Sequence, residues 1–418
     1  MPNTIDVKGD AETSLELIER SSLFTEFTDD TMTVIGSMAF AFCDSLVSVS
    51  FPICLSISGS AFINCTGLTE IYFPSCRFVG TEAFRGCTNL LIADFPACTS
   101  MIQSAFMYCS GLTSASFPIY SVSFPNYTFY NCTSLRTAYI PSCSGIGSYA
   151  FLSCSSLEEA DFPTCGRLYS GAFYGCEILK SASFPTCSSA ADSVFWGCYA
   201  LSQVYLPVCQ TLGANAFRSC SGLKSISLPS CTSAGNYIFV GCDNLSDVSM
   251  PLLSEVPAYA FASCSNLSRV YFPQATAVRT NAFTRCYSLE EVSLPNCTLL
   301  DLAAFQYCES LSSISAPNLS LVSNQAFSGC SALSIVSFPN CTLISTYAFY
   351  SCVNLTQLYL MGSSAVALSH SNAFTSTPIG GYSTVAGQYG SIFVPTSLLA
   401  TYRSATNWVY FSERFVGI

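Results

Sequence analysis

The chain has 418 residues, half of them hydrophobic and 9% charged, with a formal net charge of −11. Its 14 Lys and Arg are scattered along the length, which argues against a nucleic-acid partner or an anionic membrane, since both need clustered cations. Apolar residues are spaced and not run together, so no segment predicts insertion into a bilayer.

The opening Met1-Pro2-Asn3-Thr4 leads into acidic and polar residues, without the basic-then-apolar order of a signal peptide, so no export signal is expected there. A repeat then takes over. The Phe of an Ala-Phe-type dipeptide recurs at Phe40, Phe62, Phe84, Phe106, Phe129, Phe151, Phe173, Phe195, Phe217, Phe239, Phe261, Phe283, Phe305, Phe327 and Phe349. The spacing is 22 residues, except 23 between Phe106 and Phe129, where Pro118-Ile119-Tyr120-Ser121 carries one extra residue. Fifteen copies in phase lift the size limit of a single globular core, because each turn buries its apolar side chains against its neighbours.

One copy reads Ala61-Phe62-Ile63-Asn64-Cys65-Thr66-Gly67-Leu68-Thr69-Glu70-Ile71-Tyr72-Phe73-Pro74-Ser75-Cys76. The Leu position is Leu in every copy, from Leu46 to Leu355. Leu-x-x-Ile-x-Phe ends in period-2 alternation and predicts a short strand, which Pro terminates. Twenty-two residues cannot hold a strand and a long helix, so turns or 3-10 pieces are expected around Ala-Phe. The expected fold is a right-handed repeat solenoid of about fifteen turns, with a parallel sheet on one face and capped ends.

The phase also places the boundaries. Residues 1–34 form an N-terminal segment and capping turn, in which Phe24, Phe27 and Met32 take the core places of Leu46, Val49 and Cys54. Asp29 and Asp30 stand where Phe51 and Pro52 would be and turn that end to solvent. The solenoid runs over 35–360. Residues 361–418 make an irregular insertion with Gly380, Gly381, Gly387 and Gly390, a last strand at Ser391 to Pro395, and a short helix from Ser397 to Arg403 leading to Trp408.

Leu-x-x-Ile-x-Phe-Pro joined to Ile35-Gly36-Ser37-Met38-Ala39-Phe40-Ala41-Phe42-Cys43 resembles the BspA-like leucine-rich repeat family over residues 23 to 395. The resemblance implies surface adhesion or ligand capture, a cell-surface or extracellular setting, and no catalytic residues to carry over.

All 25 Cys fall on two columns, fifteen following Ala-Phe by three residues and ten following the strand-ending Pro by two. Tyr120, Leu253, Ala275 and Leu319 replace Cys in the second, as befits a small buried apolar group. Zinc or iron–sulfur sites need local Cys pairs or a nearby His, and neither recurs, so buried thiols without metal or cofactor are expected. His370, the one histidine, lies in the C-terminal insertion and leaves acid–base and triad chemistry little to work with.

If Leu and Val point inward, the residues between them line up on the strand face. The residue before the Phe/Leu position is Ser50, Tyr72, Asp94, Ser116, Tyr139, Asp161, Ser183, Tyr205, Ser227, Ser249, Tyr271, Ser293, Ser315, Ser337 or Tyr359. Only Ser, Tyr and Asp occur. Tyr offers rigid contact area and Ser adaptable hydrogen bonds, so Tyr72, Asp94, Tyr139, Asp161, Tyr205, Tyr271 and Tyr359 are candidate ligand contacts; the same residues also suit any exposed strand face. The residue after Ala-Phe varies freely, and Arg85, Tyr174, Trp196 and Arg218 mark a second candidate surface with exposed-looking side chains. Glu158, Glu159 and Asp161 share one turn, and a solvated face suits them better than a cation site. Two roles fit this reading: recognition of a protein or glycan on another surface, or a structural spacer without specific ligand.

Overall fold

The computed structural model describes residues 25–382 and 389–418, so Phe24 and Gly387 lie outside the described residues. Alternation over Leu-x-x-Val-x-Phe gives one short strand per repeat, its middle residue facing inward. The chain divides into two compact units, Met1–Val208 and Cys209–Ile418. Each is a parallel β-solenoid with nine such strands, from Glu26–Thr28 to Gln203–Tyr205 in the first and from Ser225–Ser227 to Phe415–Gly417 in the second. That makes about eighteen turns against the fifteen expected from Ala-Phe alone. The ends account for the difference: Glu26–Thr28 pairs in register with Ser48–Ser50, and Ser391–Val394 and Phe415–Gly417 stack in parallel beyond Gln357–Tyr359.

Past each Pro the chain makes a second, two-residue strand. Val34–Ile35 through Ser100–Met101 form one such ladder. The next begins at Ser123–Phe124, and the interruption falls at the extra residue within 118–121.

The Ala-Phe arm is built of turns, one of the two forms expected there, and not of 3-10 helix. Among the described residues, 3-10 helix occurs only at Ser371–Phe374, Thr396–Leu398 and Trp408–Arg414. Around Ala-Phe the N–H groups alternate in direction instead. Those of Met38, Phe40 and Phe42 donate to Gly59, Ala61 and Ile63 of the following turn at 2.8 to 3.2 Å, while those of Ala39 and Ala41 fold back to Gly36 and Met38. Sending every second N–H to the next turn requires left-handed backbone two residues before and two after the Phe, as at Met38 and Phe42 (φ 57° and 60°) and Tyr149 and Ser153 (φ 56° and 57°). Gly171 occupies one of these positions at φ 62°, and a Cβ there would collide with the Tyr149 ring.

Phe rings fill the interior in two interleaved files. Phe62 stacks on Phe84 at 5.1 Å and 1°, and Phe73 meets Phe84 edge-on at 6.0 Å and 65°. The Leu positions from Leu46 to Leu201 in the first unit and Leu223 to Leu355 in the second are buried.

All 25 cysteines are buried thiols, and the two columns differ in what the sulfur does. In the first, the thiol donates to the carbonyl of the Phe in the preceding turn: Cys87 to Phe62 at 3.1 Å, Cys154 to Phe129 at 3.2 Å, Cys286 to Phe261 at 3.1 Å. In the second it donates to the carbonyl two residues on in its own turn, as Cys98 does to Ser100 at 3.4 Å. The first thiol donates across two turns and the second donates within its own, and Leu, Ala and Tyr substitute only in the second column.

At the N-terminal end the Asp29 carboxylate accepts from Thr31 and Met32 backbone N–H groups at 2.7 and 2.8 Å. At the other end the helix Leu399–Ser404 and the segment after it lay buried Tyr402 and Trp408 over the last turns. The Tyr402 hydroxyl accepts from Val366 N–H at 2.9 Å, and Trp408 Nε1 donates to the Val366 carbonyl at 2.7 Å. His370 has a structural place, its Nδ1 accepting from the N–H of Asn372 at the start of a 3-10 turn.

Candidate recognition face

Strand pairing sets the candidate column residue against residue. Tyr139 pairs with Ser116 and Ser116 with Asp94, while Asp161 pairs with Ser183 and Ser183 with Tyr205. Tyr72, Tyr139, Tyr205 and Tyr271 stand out from the surface at 56%, 60%, 57% and 60% exposure. Asp94 and Asp161 are exposed beside them. Tyr359 differs from expectation. It is half-buried because its ring stacks on Phe393 of the closing turn at 4.5 Å, and its hydroxyl bonds Gln357 Oε1 at 3.0 Å. It belongs to the cap.

In the first unit this column is not one uninterrupted ladder. The strands form three sheets of three: Glu26–Thr28 to Glu70–Tyr72, Ile92–Asp94 to Thr137–Tyr139, and Glu159–Asp161 to Gln203–Tyr205. Two openings therefore lie inside the unit, after Tyr72 and after Tyr139. In paired turns the N–H following the column residue donates to the next turn, as Phe95 does to Ser116 at 3.0 Å and Phe117 to Tyr139 at 2.9 Å. Among the described residues no such bond joins Phe73 to Asp94 or Ile140 to Asp161. At the openings the middle strand residues Ile71 and Ala138 are partly exposed, whereas Val49, Ala93 and Ala160 are buried.

Each opening is also a depression. One of about 440 Å³ includes Glu70, Ile71, Tyr72, Leu91 and Ile92. The other, about 530 Å³, is walled by Arg136, Tyr139, Pro141, Glu158, Glu159 and Asp161. Lys180 Nζ holds Glu158 at 2.6 Å, and that hydrogen bond and its charge draw the Glu158 carboxyl below its ordinary value. No cation pairs with Asp94 or Asp161 among the described residues.

Arg136 and Pro141 escape the sequence reading, which took Glu159 only as part of a solvated acidic turn. The signal that could have found them is the order Asp94, Ser116, Tyr139, Asp161, Ser183, Tyr205, a three-turn recurrence visible in the column but read there one residue at a time.

The second candidate surface is less open than its sequence implies. Arg85, Tyr174, Trp196 and Arg218 are half-buried, correcting the expectation of exposed side chains. Arg85 pairs with Glu82 at 3.0 Å and lies 5.8 Å from the Tyr108 ring centre, and Tyr174 packs on Trp196 at 5.1 Å. Arg218 bonds Asn215 at 3.2 Å and lies over Tyr237. Neighbouring turns bring long side chains within reach of one another, so variable residues cover each other. Among the described residues no group of His, Cys, Asp and Glu could hold a metal ion, and no helix is long and apolar enough to cross a membrane.

Short parallel strands stacked once per 22-residue turn, each bringing one buried Leu, define a leucine-rich repeat solenoid. Matches to the BspA type leucine-rich repeat region cover residues 19–136, 99–208, 188–310 and 276–384, and the chain belongs to that family. No curated protein matches it. Among solved structures, a leucine-rich repeat protein from Bacteroides ovatus ATCC 8483 is similar at 26% identity and TM-score 0.58, over 80% of this chain and 86% of that one. A leucine rich cell surface protein from Faecalibacterium prausnitzii A2-165 shares 19% identity at TM-score 0.31, over 93% and 90% of the two chains. A leucine-rich repeat protein from Eubacterium ventriosum ATCC 27560 shares 18% at TM-score 0.30, over 80% and 84%.

Proposed function

We propose that this protein is a recognition module which captures a protein or glycan on another surface through its strand face, with the centre of the site at Tyr139, Asp161, Ser183 and Tyr205. The observation that carries this reading is the coincidence of exposed Tyr with the openings of the strand ladder. There a rigid aromatic side chain stands beside a depression with unpaired backbone groups. Tyr contributes large contact area at small entropic cost, and backbone N–H and C=O groups released from a ladder offer hydrogen bonds to a polar chain. Kinship with the BspA type family supports a non-catalytic binding role at a cell surface.

The test is an array of peptides, extracellular-matrix proteins and glycans probed with the wild-type protein, followed by affinity measurements on whatever it captures. Tyr139→Ala and Tyr205→Ala are each expected to weaken that capture by about fivefold or more, the effect of losing an anchor worth over about 1 kcal/mol. Melting temperatures stay near wild type because these side chains lie outside the core. If both variants bind like wild type while Arg85→Ala or Trp196→Ala does not, recognition lies on the Ala-Phe arm and the proposal falls.

A further inference from the structure

The first unit carries its Tyr–Asp arrangement twice. Tyr72 is followed one turn later, in the same column, by Asp94, and Tyr139 by Asp161; the two pairs are 67 residues apart and each spans an opening of the ladder. In the second unit Tyr271 is followed by Ser293, so the pairing is particular to the first. We infer that the paired Tyr72/Asp94 and Tyr139/Asp161 sites bind two basic side chains of one extended peptide, spaced four residues apart. This rests on the strand face being the recognition surface.

The chemistry follows from what each site presents. An exposed Tyr ring attracts a cation over its face, and a carboxylate on the adjacent turn supplies the ionic hydrogen bond. No Lys or Arg of the described residues pairs with Asp94 or Asp161, so an incoming cation displaces no existing ion pair. Glu70 at the first site and Glu159 at the second extend the negative field; Arg136 also lines the second depression, and Lys180 beside it is held by Glu158.

The spacing follows from the stack. Two paired intervals at the strand repeat of about 4.8 Å and one opening set the two sites about 14 Å apart or slightly more. An extended peptide advances about 3.3 Å per residue and returns to the same face every second residue, so residues i and i+4 span about 13 Å on one face. Neighbouring residues of the peptide would meet Asp94 and Ser116 between the two Tyr, where small polar side chains fit.

Fluorescence polarisation with a synthetic ten-residue Ser/Thr peptide carrying two lysines four residues apart tests the inference on the full chain. That peptide is expected to bind, to lose binding when both lysines are acetylated, and to bind more weakly when the lysines are three apart and face opposite ways. Asp94→Asn and Asp161→Asn should each weaken it about tenfold, without changing the melting curve. Failure of the four-spaced peptide to bind, equal binding of the acetylated or three-spaced peptide, or capture of glucosamine oligomers in its place overturns the assignment. If Tyr139→Ala weakens capture of an array ligand while Asp94→Asn and Asp161→Asn do not, the strand face stands and the basic-peptide inference falls. If the lysine peptide binds all these variants like wild type, it sits elsewhere and the basic-peptide inference falls, while the strand face is judged by the array ligand.

Discussion

The thiol of Cys154 donates to the carbonyl of Phe129 across 3.2 Å, from one turn back to the one before it. Phe129 also accepts from the N–H of Cys132 at 3.1 Å, so the sulfur is its second partner. Replacing Cys154 by Val keeps the size and apolarity but removes the donor, and because Phe129 keeps its Cys132 partner it is expected to cost about 1 kcal/mol more than the same change at a thiol without such a bond. The Cys165 thiol donates within its own turn, to Arg167, so Cys165→Val should cost less than about 1.5 kcal/mol. Urea unfolding of the two variants compares them directly; equal losses would show that the bond between turns adds nothing.

Burial raises the thiols, Cys76, Cys98 and Cys143 being pushed up to about 12 and Cys231 and Cys341 to about 11, from an ordinary 9.0. A group raised in the folded state holds its proton longer there than when unfolded. Its contribution is therefore complete below pH 9 and is lost as pH rises toward 11 to 12, by about 1.4 kcal/mol per group per pH unit. Many such groups act together, so circular dichroism under reductant should show a steep alkaline unfolding that begins just above pH 9. A flat signal to pH 11 would contradict the burial argument.

The same thiols should be inert in the native protein and open in the unfolded one. Iodoacetamide at pH 8 is expected to modify few cysteines in buffer and most of the 25 in denaturant, without prior reduction. Mass measurement counts them. Resistance in denaturant until a reductant is added would mean disulfides.

Leu201 is fully buried in the first unit's Leu file. Leu201→Ala should lower stability by about 2 to 5 kcal/mol through the cavity it leaves. An unchanged melting curve would show that the neighbouring turns close the space.

The repeat and its strands are legible in the sequence because burial there depends on side-chain identity alone. Leu46, Phe40 and Cys43 mark a turn wherever they recur in phase. What escapes is what depends on backbone paths. The left-handed residues two before and after each Phe include Met38, Glu82, Tyr149 and Arg285, residues with no common preference for that conformation, so composition cannot announce them. The column of Tyr72, Tyr139, Tyr205 and Tyr271 is legible as an exposed file. The openings beside it are not, because Ile71 and Val49 are interchangeable core residues in sequence and differ only in whether the next strand pairs. Tyr359 was hidden by Phe393, whose distance along the chain gives no warning of a stacked contact.

The missing ladder bonds after Tyr72 and Tyr139 also set where the first unit yields under load. A pulling force applied along the stack concentrates where strand bonds are missing, and strands 70–72 and 137–139 each end a bonded group of three. Extension should therefore proceed in blocks of three turns, each releasing about 66 residues and lengthening the tether by about 22 nm at 3.4 Å per residue. A molecule stretched between two surfaces would pay out chain in these steps and absorb work at each one, before its neighbouring blocks gave way.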